Sequence, residues 1–361
     1  MSIGYRYLGS TGIEVSTLCL GTMMFGSVGG SGAGNPDHDA CVEIVRAALD
    51  AGVNFIDTAD MYSVGESEVI VGKALRGCRD DVVLATKGHF PLAGGPARSG
   101  NSRRWLLRAV EGSLRRLGTD WIDVYLVHRP DEATAVEETL SALSDLVRDG
   151  KIRAFGCSSF PAEQIVAARA MADRHHLPPF RVEQPPYSLL TRGVERAVLP
   201  ICAELGMGVM TWSPLAFGFL SGRYSRTAAD LTVGRPVLAR ERFDPSIPAT
   251  EAKYTALAEF ERLAGDLGRT LPELAIAFPA AHPAVTSVII GPRTADQLHR
   301  TIDGSSLLLS DEVLDRIDAI VPPGTDTFPA DAAYTPPALT DLRRRRRPPD
   351  ERAAGSTDVR I

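Results

Sequence analysis

Residues 102–128 read SRRWLLRAVEGSLRRLGTDWIDVYLVH, and a shorter run, VVLATK, precedes them at 82–87. The first part of the longer stretch has helical periodicity. Trp105, Leu106, Ala109, Val110, Ser113, Leu114 and Leu117 share one face, and most of the charge lies on the other. Ser102 is placed to cap the start of that helix and Gly118 to end it. VVLATK and IDVYLVH differ in kind: they are short, nearly continuous apolar runs, as parallel strands buried on both faces require. The spacing predicts a strand–helix–strand unit whose strands end on a lysine and a histidine.

The same rhythm recurs outward in both directions. Strands are predicted at 15–21, 53–57, 82–87, 122–128, 152–158, 180–184, 207–213 and 286–291. Further helices are predicted at 38–51, 135–149, 161–174 and 192–205, three of them closed by Gly52, Gly150 and Gly206. Eight strands alternating with helices favour a closed (β/α)8 TIM barrel over an open sheet. Residues 3–15 read as an N-terminal β-hairpin turning at Ser10-Thr11-Gly12, ahead of the barrel. A Gly/Pro-rich loop at 90–101 and a long connection at 214–250 interrupt the rhythm. The expected division is a barrel over 1–321 and an extended Pro/Arg-rich C-terminal tail over 322–361. The start of that tail is expected to pack near the active site; its end, including Arg343 to Arg347, to be solvated and poorly ordered.

Composition narrows the function classes. The 361 residues are 44% hydrophobic and 23% charged, enough apolar material for a large core. A net charge of -6 offers no overall attraction to nucleic acid or anionic membranes. Five scattered cysteines without a Cys-x-x-Cys argue against a disulfide framework and the usual zinc spacings, so no metal site is expected. With no signal pattern and no transmembrane-length apolar run, a cytoplasmic protein without membrane partners is expected.

The strand ends carry the functional signal. In order they present Thr22, Asp57, Lys87, His128, Ser158 with Ser159, Gln184, Trp212 with Ser213, and Arg293. One polar residue at a strand end is as often a structural ion pair as a functional group. Eight strands presenting them to one rim is the pattern of an active site at the C-terminal face of a barrel. Asp57, Tyr62, Lys87 and His128 form a chemical unit among them. A phenol is a weak acid, with a reference pKa of about 10. An ammonium beside it favours the phenolate, so Lys87 is expected to lower the pKa of Tyr62, and Asp57 to hold Lys87 in place. His128 can orient a carbonyl oxygen. This is equipment for protonating an oxygen while hydride reaches its carbon, and the hydride requires a nicotinamide cofactor.

Eight ordered stretches extend the pattern over residues 5–321: YLGSTGIEVSTLCLGTMMFG, GVNFIDTADMYSVGESE, VVLATK, RRLGTDWIDVYLVHRPD, LVRDGKIRAFGCSSF, EQPPYSLLTRGVE, MTWSPLAFGFLSGRY and IIGPRTADQL. On these motifs the chain resembles the aldo-keto reductases. The resemblance implies a (β/α)8 barrel, NADPH (NADP+) as cofactor, and reversible reduction of an aldehyde or ketone to an alcohol. It implies Tyr62 as general acid with Lys87, Asp57 and His128 assisting. Ser158, Ser159 and Gln184 would hold the nicotinamide carboxamide, Trp212 would stack on the ring, and Gly21, Thr22 and Met23 would line that end. Ser213, Pro214, Leu215, Gly218, Leu220 and Gly222 would wrap the pyrophosphate, with Arg223 where relatives often place a lysine. Gly291, Arg293 and Thr294 would meet the adenosine 2′-phosphate, and Gln297, Arg300 and Thr301 would approach the adenine. Two departures stand out: Ser158-Ser159 where the family usually reads Ser-Asn, and Arg300-Thr301 where relatives often carry Glu-Asn. Both bear on cofactor contacts and neither on the proton-transfer unit.

The substrate is expected to be a small carbonyl compound. Met24, Phe25, His89, Phe90, Arg129 and Phe217, with part of 223–250, are the candidate pocket residues, three of them phenylalanines. Arg129 can meet an anionic substituent or end in a surface salt bridge. An aldehyde, a ketone or a keto-sugar all remain open. Other signatures fail: the run at 29–34 (GGSGAG) does not match the dinucleotide glycine motif and reads as a flexible loop, and no Walker A or His-Glu-x-x-His occurs. His175-His176 reads as a solvated pair, and the arginine run as a tail without nucleic acid. The alternative function is a non-catalytic NADPH-binding regulatory or partner subunit, since some members of the superfamily are channel-associated.

Overall fold

The computed structural model describes residues 3–27, 34–92, 98–225 and 235–352. The expected flexible loop at 29–34, the middle of the 90–101 loop and the end of the tail fall largely or wholly outside them.

Two short antiparallel strands, β1 (Tyr5–Tyr7) and β2 (Glu14–Ser16), form the predicted hairpin. Eight parallel strands then close on themselves: β3 (Leu18–Gly21), β4 (Phe55–Asp57), β5 (Val83–Gly88), β6 (Ile122–Val127), β7 (Ile152–Ser158), β8 (Val182–Gln184), β9 (Gly208–Thr211) and β10 (Ser287–Ile290). β10 pairs with both β3 and β9, which completes the barrel. The run predicted as one strand over 15–21 is divided, because Glu14–Ser16 pairs with the hairpin and Leu18–Gly21 with the barrel.

The major helices pack outside: α1 (His38–Asp50), α2 (Glu66–Ala74), α3 (Arg103–Leu117), α4 (Val136–Arg148), α5 (Ala162–His175) and α6 (Val198–Glu204). After a short α7 (Arg235–Leu238) come α8 (Pro248–Asp266), α9 (Leu271–Ala281), α10 (Ala295–Gly304) and α11 (Asp311–Ile320). In α3, the Ser102 hydroxyl accepts from the Trp105 N–H and Gly118 ends the helix with φ at 65°. The helix predicted over 192–205 is broken. A 3-10 turn covers Gly193–Arg196, and α6 begins at Val198. Pro200 explains this, since proline fits the first turn of a helix and disrupts later ones.

Two cores result. Cys19, Phe55, Ala85, Val124, Leu126, Val182 and Met210 fill the barrel interior, and Leu8 and Val15 of the hairpin join them. The hairpin therefore plugs the N-terminal end. Its close approach depends on glycine: a Cβ on Gly9, where φ is +56°, would come within 2.2 Å of the Gly208 nitrogen. The second and larger core lies between strands and helices.

The chain beyond α11 lies against the barrel. Thr327 N–H donates to the Leu190 carbonyl at 2.9 Å, and Phe328 and Asp331 are buried. A last short helix, α12 (Pro337–Thr340), precedes 3-10 turns over Leu342–Arg344 and Pro349–Glu351. Arg343 to Arg347 are exposed, but not as a formless run: Arg343 pairs with Asp341 at 2.9 Å and Arg344 with Glu132 at 2.5 Å. Among the described residues, no helix is long and apolar enough to cross a membrane.

Candidate active site

The parallel strands deliver their C-terminal ends to one rim, opposite the hairpin plug. Asp57 is the last residue of β4, Lys87 is the penultimate residue of β5, and His128 follows β6. Tyr62 reaches the rim from a 3-10 turn after β4, in which Ser63 and Val64 take left-handed backbone angles. Together these placements bring the four side chains into one cluster.

Lys87 is fully buried and all three of its ammonium hydrogens have acceptors. Nζ donates to Asp57 Oδ2 at 2.7 Å, to the Thr58 carbonyl at 2.7 Å and to the Tyr62 hydroxyl at 3.0 Å. The other oxygen of Asp57 accepts from Gln184 Nε2 at 2.8 Å. A buried ion pair is tolerated when its remaining lone pairs and protons are satisfied, and this one meets that condition. Burial alone would favour the neutral amine, but Asp57 and Tyr62 outweigh it and hold Lys87 above its ordinary pKa.

Tyr62 departs from expectation. Burial pushes its phenol up, and the pull of Lys87 only partly offsets that push, so the pKa lies above its ordinary value. The ammonium beside the phenol acts as its chemistry dictates, but desolvation of the ring outweighs it. The phenol is in its acid form at neutral pH. His128 stands edge-on to it, ring centres 6.0 Å apart, and burial together with the charges of Lys87 and Arg129 drives the imidazole well below its ordinary pKa. Neutral His128 carries one ring N–H, suited to an oxygen acceptor, and its Nδ1 has no protein partner.

A cleft of about 1000 Å³ opens above this cluster. Gly21, Met23, Ser158, Gln184, Trp212, Ser213, Pro214, Leu215, Gly218, Gly222, Arg223, Gly291, Arg293, Gln297, Arg300 and Thr301 line it, as do Met24, Phe90, Arg129 and Phe217. Of the other candidates, Thr22, Ser159 and Leu220 are buried behind its wall and Thr294 is exposed. Thr22 is buried, its hydroxyl 3.1 Å from the Asp57 carbonyl, and Leu220 turns into the core. Thr294 caps α10 through the Gln297 N–H, while the Gln297 side chain accepts from the Arg293 N–H at 2.8 Å. Arg300 pairs with Asp296 on the surface. Ser159 adopts φ of +59°, a region asparagine enters more readily than serine, and its hydroxyl is buried without a partner.

Two pocket candidates are corrected. Phe25 is fully buried and belongs to the core, because the chain turns inward directly after β3. His89 does not line the cleft; its ring is 2.9 Å from Asn101 Oδ1. Sequence reading also missed lining residues. Met61 lines the cleft, and Arg269, Thr270 and Glu273 bring the start of α9 to it; Tyr224 and Arg235, which also line it, fall in the 223–250 stretch expected to contribute to the pocket. The segment at 248–281 has helical signals, including the Thr270–Glu273 capping box, that were there to be read.

The cleft also answers whether a dinucleotide suits these residues. Trp212 Nε1 and the Ser221 hydroxyl are buried without partners in its wall, and Arg223 and Arg293 lie along it. An aromatic face, unused donors and separated cations in one trough fit a ligand with a flat ring at one end and phosphates beyond.

The family model for the Aldo/keto reductase family matches residues 17–322. The chain is 38% identical over 336 residues to the uncharacterized oxidoreductase YrpG of Bacillus subtilis (strain 168), covering 90% of this chain and 98% of that one. It is 36% identical over 326 residues to a probable voltage-gated potassium channel subunit beta of Oryza sativa subsp. japonica, covering 88% and 96%. To the aldo-keto reductase YhdN of Bacillus subtilis (strain 168) it is 34% identical over 324 residues, covering 88% and 93%.

Proposed function

Because the chain belongs to the aldo/keto reductase family, whose members are oxidoreductases acting on small carbonyl compounds with NAD(P)H, we propose that it is an NADPH-dependent reductase of an aldehyde or ketone. The observation that carries this reading is the Tyr62 hydroxyl at the cleft, 3.0 Å from a buried, fully hydrogen-bonded Lys87. NADPH, when bound, supplies the hydride.

The chain's own residues manage the proton. Neutral His128 donates to the carbonyl oxygen and orients it. Tyr62, a phenol protonated at neutral pH, gives its proton to that oxygen as the carbon is reduced. The phenolate left behind is stabilised by the Lys87 ammonium, which Asp57 and Gln184 keep in position. Run backward, the same groups accept a proton from an alcohol. Ser158 and Gln184 would hold the carboxamide, Trp212 the nicotinamide face, and the 213–222 turn with Arg223 the pyrophosphate. Arg293 with Thr294 would take the 2′-phosphate, the physical basis for preferring NADPH to NADH.

A second reading, an NADPH-binding partner subunit without turnover, is favoured by the likeness to proteins named potassium channel beta subunits. NADPH oxidation against a panel of aldehydes and ketones separates the two. Turnover that falls at least a hundredfold in Tyr62→Phe, within the range general acids contribute, supports the reductase. Equal turnover in both proteins would overturn the mechanism, and tight NADPH binding with no turnover would favour the partner subunit.

A further inference from the structure

Arg129 lines the cleft beside the proton-transfer cluster, and among the described residues it has no carboxylate partner. Arg235 and Arg293, which also lack one, line the part of the cleft assigned to the cofactor phosphates. The Arg129 guanidinium is half-buried, immediately after His128. One arm donates to the His128 carbonyl at 2.6 Å, which fixes the side chain. The guanidinium carbon lies 5.9 Å from the ring centre of Phe90 and 5.9 Å from that of Trp212, so two aromatic faces flank it. Phe90 in turn stands 5.0 Å from the His128 ring. The group is therefore held among the residues that would surround a substrate, on the same side as Tyr62 and His128.

Several other deeply placed cations have carboxylates. Lys87 has Asp57 at 2.7 Å, Arg116 has Glu68 at 2.6 Å and Arg192 has Glu195 at 2.9 Å. Among the described residues Arg129 has no carboxylate within ion-pair distance. The adjacent acid in sequence, Asp131, is already taken by the Asn101 and Ala133 N–H groups and the Thr134 hydroxyl. Glu183, whose field Arg129 feels, is a buried acid that burial pushes up to about 8, away from the charged form. A guanidinium does not shed its charge to escape burial, so it gains from an anion brought to it.

We infer that Arg129 is the specificity-determining residue of the substrate side, and that the preferred substrates are aldehydes or ketones carrying a carboxylate on an aromatic or apolar body. The inference rests on the reductase reading, and deepens it by naming the substrate class. The carboxylate pairs with the free edge of the guanidinium, the body lies against Phe90, and the carbonyl is left to Tyr62 and His128.

The test uses matched probes of nearly equal shape, 4-carboxybenzaldehyde and methyl 4-formylbenzoate, together with their alcohol products. In the wild-type protein kcat/KM should favour the carboxylate by about tenfold or more, the usual size of a charge-assisted contact. Arg129→Gln should bring that ratio near one, mainly through KM for the carboxylate, and Arg129→Lys should restore part of it. A wild-type ratio near one, or a ratio unmoved by Arg129→Gln, overturns the inference. Binding of the two alcohols to NADP+-loaded wild-type protein, followed by tryptophan fluorescence, needs neither turnover nor a variant. Preference for the carboxylate there without turnover of either aldehyde retains Arg129 as an anion site and sinks the reductase reading. No preference there sinks the inference, whatever the turnover.

Discussion

The Lys87 ammonium donates to the Tyr62 hydroxyl at 3.0 Å and also lies 4.7 Å from the centre of the same ring. One buried charge thus both restrains the phenol and opposes the desolvation that raises its pKa. The pairing couples stability to chemistry, and the first prediction separates them.

Lys87→Met leaves Asp57 buried and without its ion-pair partner, a change that costs about 3–5 kcal/mol in typical cases. Adding Asp57→Asn removes the stranded charge. The double variant should regain most of the lost stability in urea unfolding while remaining inactive in NADPH oxidation. Recovery of activity with stability would place the role of Lys87 in folding alone.

Arg293→Ala should weaken NADPH by about 10- to 100-fold, the loss expected of a charge-assisted phosphate contact, and leave NADH nearly unchanged. Fluorescence titration of both cofactors checks it. Equal losses would move the 2′-phosphate contact elsewhere, with Arg235 next to be tried because it lines the same cleft and feels the charge of Arg293.

Asp331 reaches the cleft through two intermediaries. It pairs with fully buried Lys253 at 3.1 Å and with Arg242, whose guanidinium carbon lies 4.0 Å over the Phe217 ring. Phe217 stands edge-on to Trp212 at 5.8 Å. Asp331→Asn should cost about 3 kcal/mol of stability, as a broken buried pair does. It should also raise KM for the carbonyl substrate more than the Kd for NADPH, since Phe217 is released on the substrate side. Unfolding curves and steady-state kinetics measure the two effects.

Asp60 makes stability fall as pH rises. Burial, with Glu68 adding to it, lifts its carboxyl from 3.8 to about 8. The folded chain therefore keeps a proton that the unfolded chain releases between about pH 4 and pH 8, and stability is lost through that window. The slope is at most about 1.4 kcal/mol per pH unit for one group. Asp60→Asn should show a smaller fall in urea midpoint between pH 5 and pH 8. Glu183 shifts in the same direction in both proteins, so the difference isolates Asp60.

The barrel was legible because its signals are local. Apolar runs such as IDVYLVH bury both faces, and Ser102 and Gly118 bracket a helix by capping chemistry that needs no distant partner. The polar strand ends were equally legible, because in this topology chain position alone decides which rim a residue reaches. Phe25 illustrates the limit: an aromatic next to a rim motif reads as pocket, yet a bend after β3 carries it into the core.

By itself, then, the sequence determined the closed barrel, the hairpin ahead of it and the residues gathered at its C-terminal face. Tertiary structure alone decided their electrical state and their pairing. Whether Tyr62 lies above or below its ordinary pKa depends on the balance of burial against a charge 25 residues along the chain. Whether Arg129 meets an acid depends on which carboxylates other donors have already claimed. Desolvation and competition for partners are properties of packed neighbours, and no local pattern encodes them.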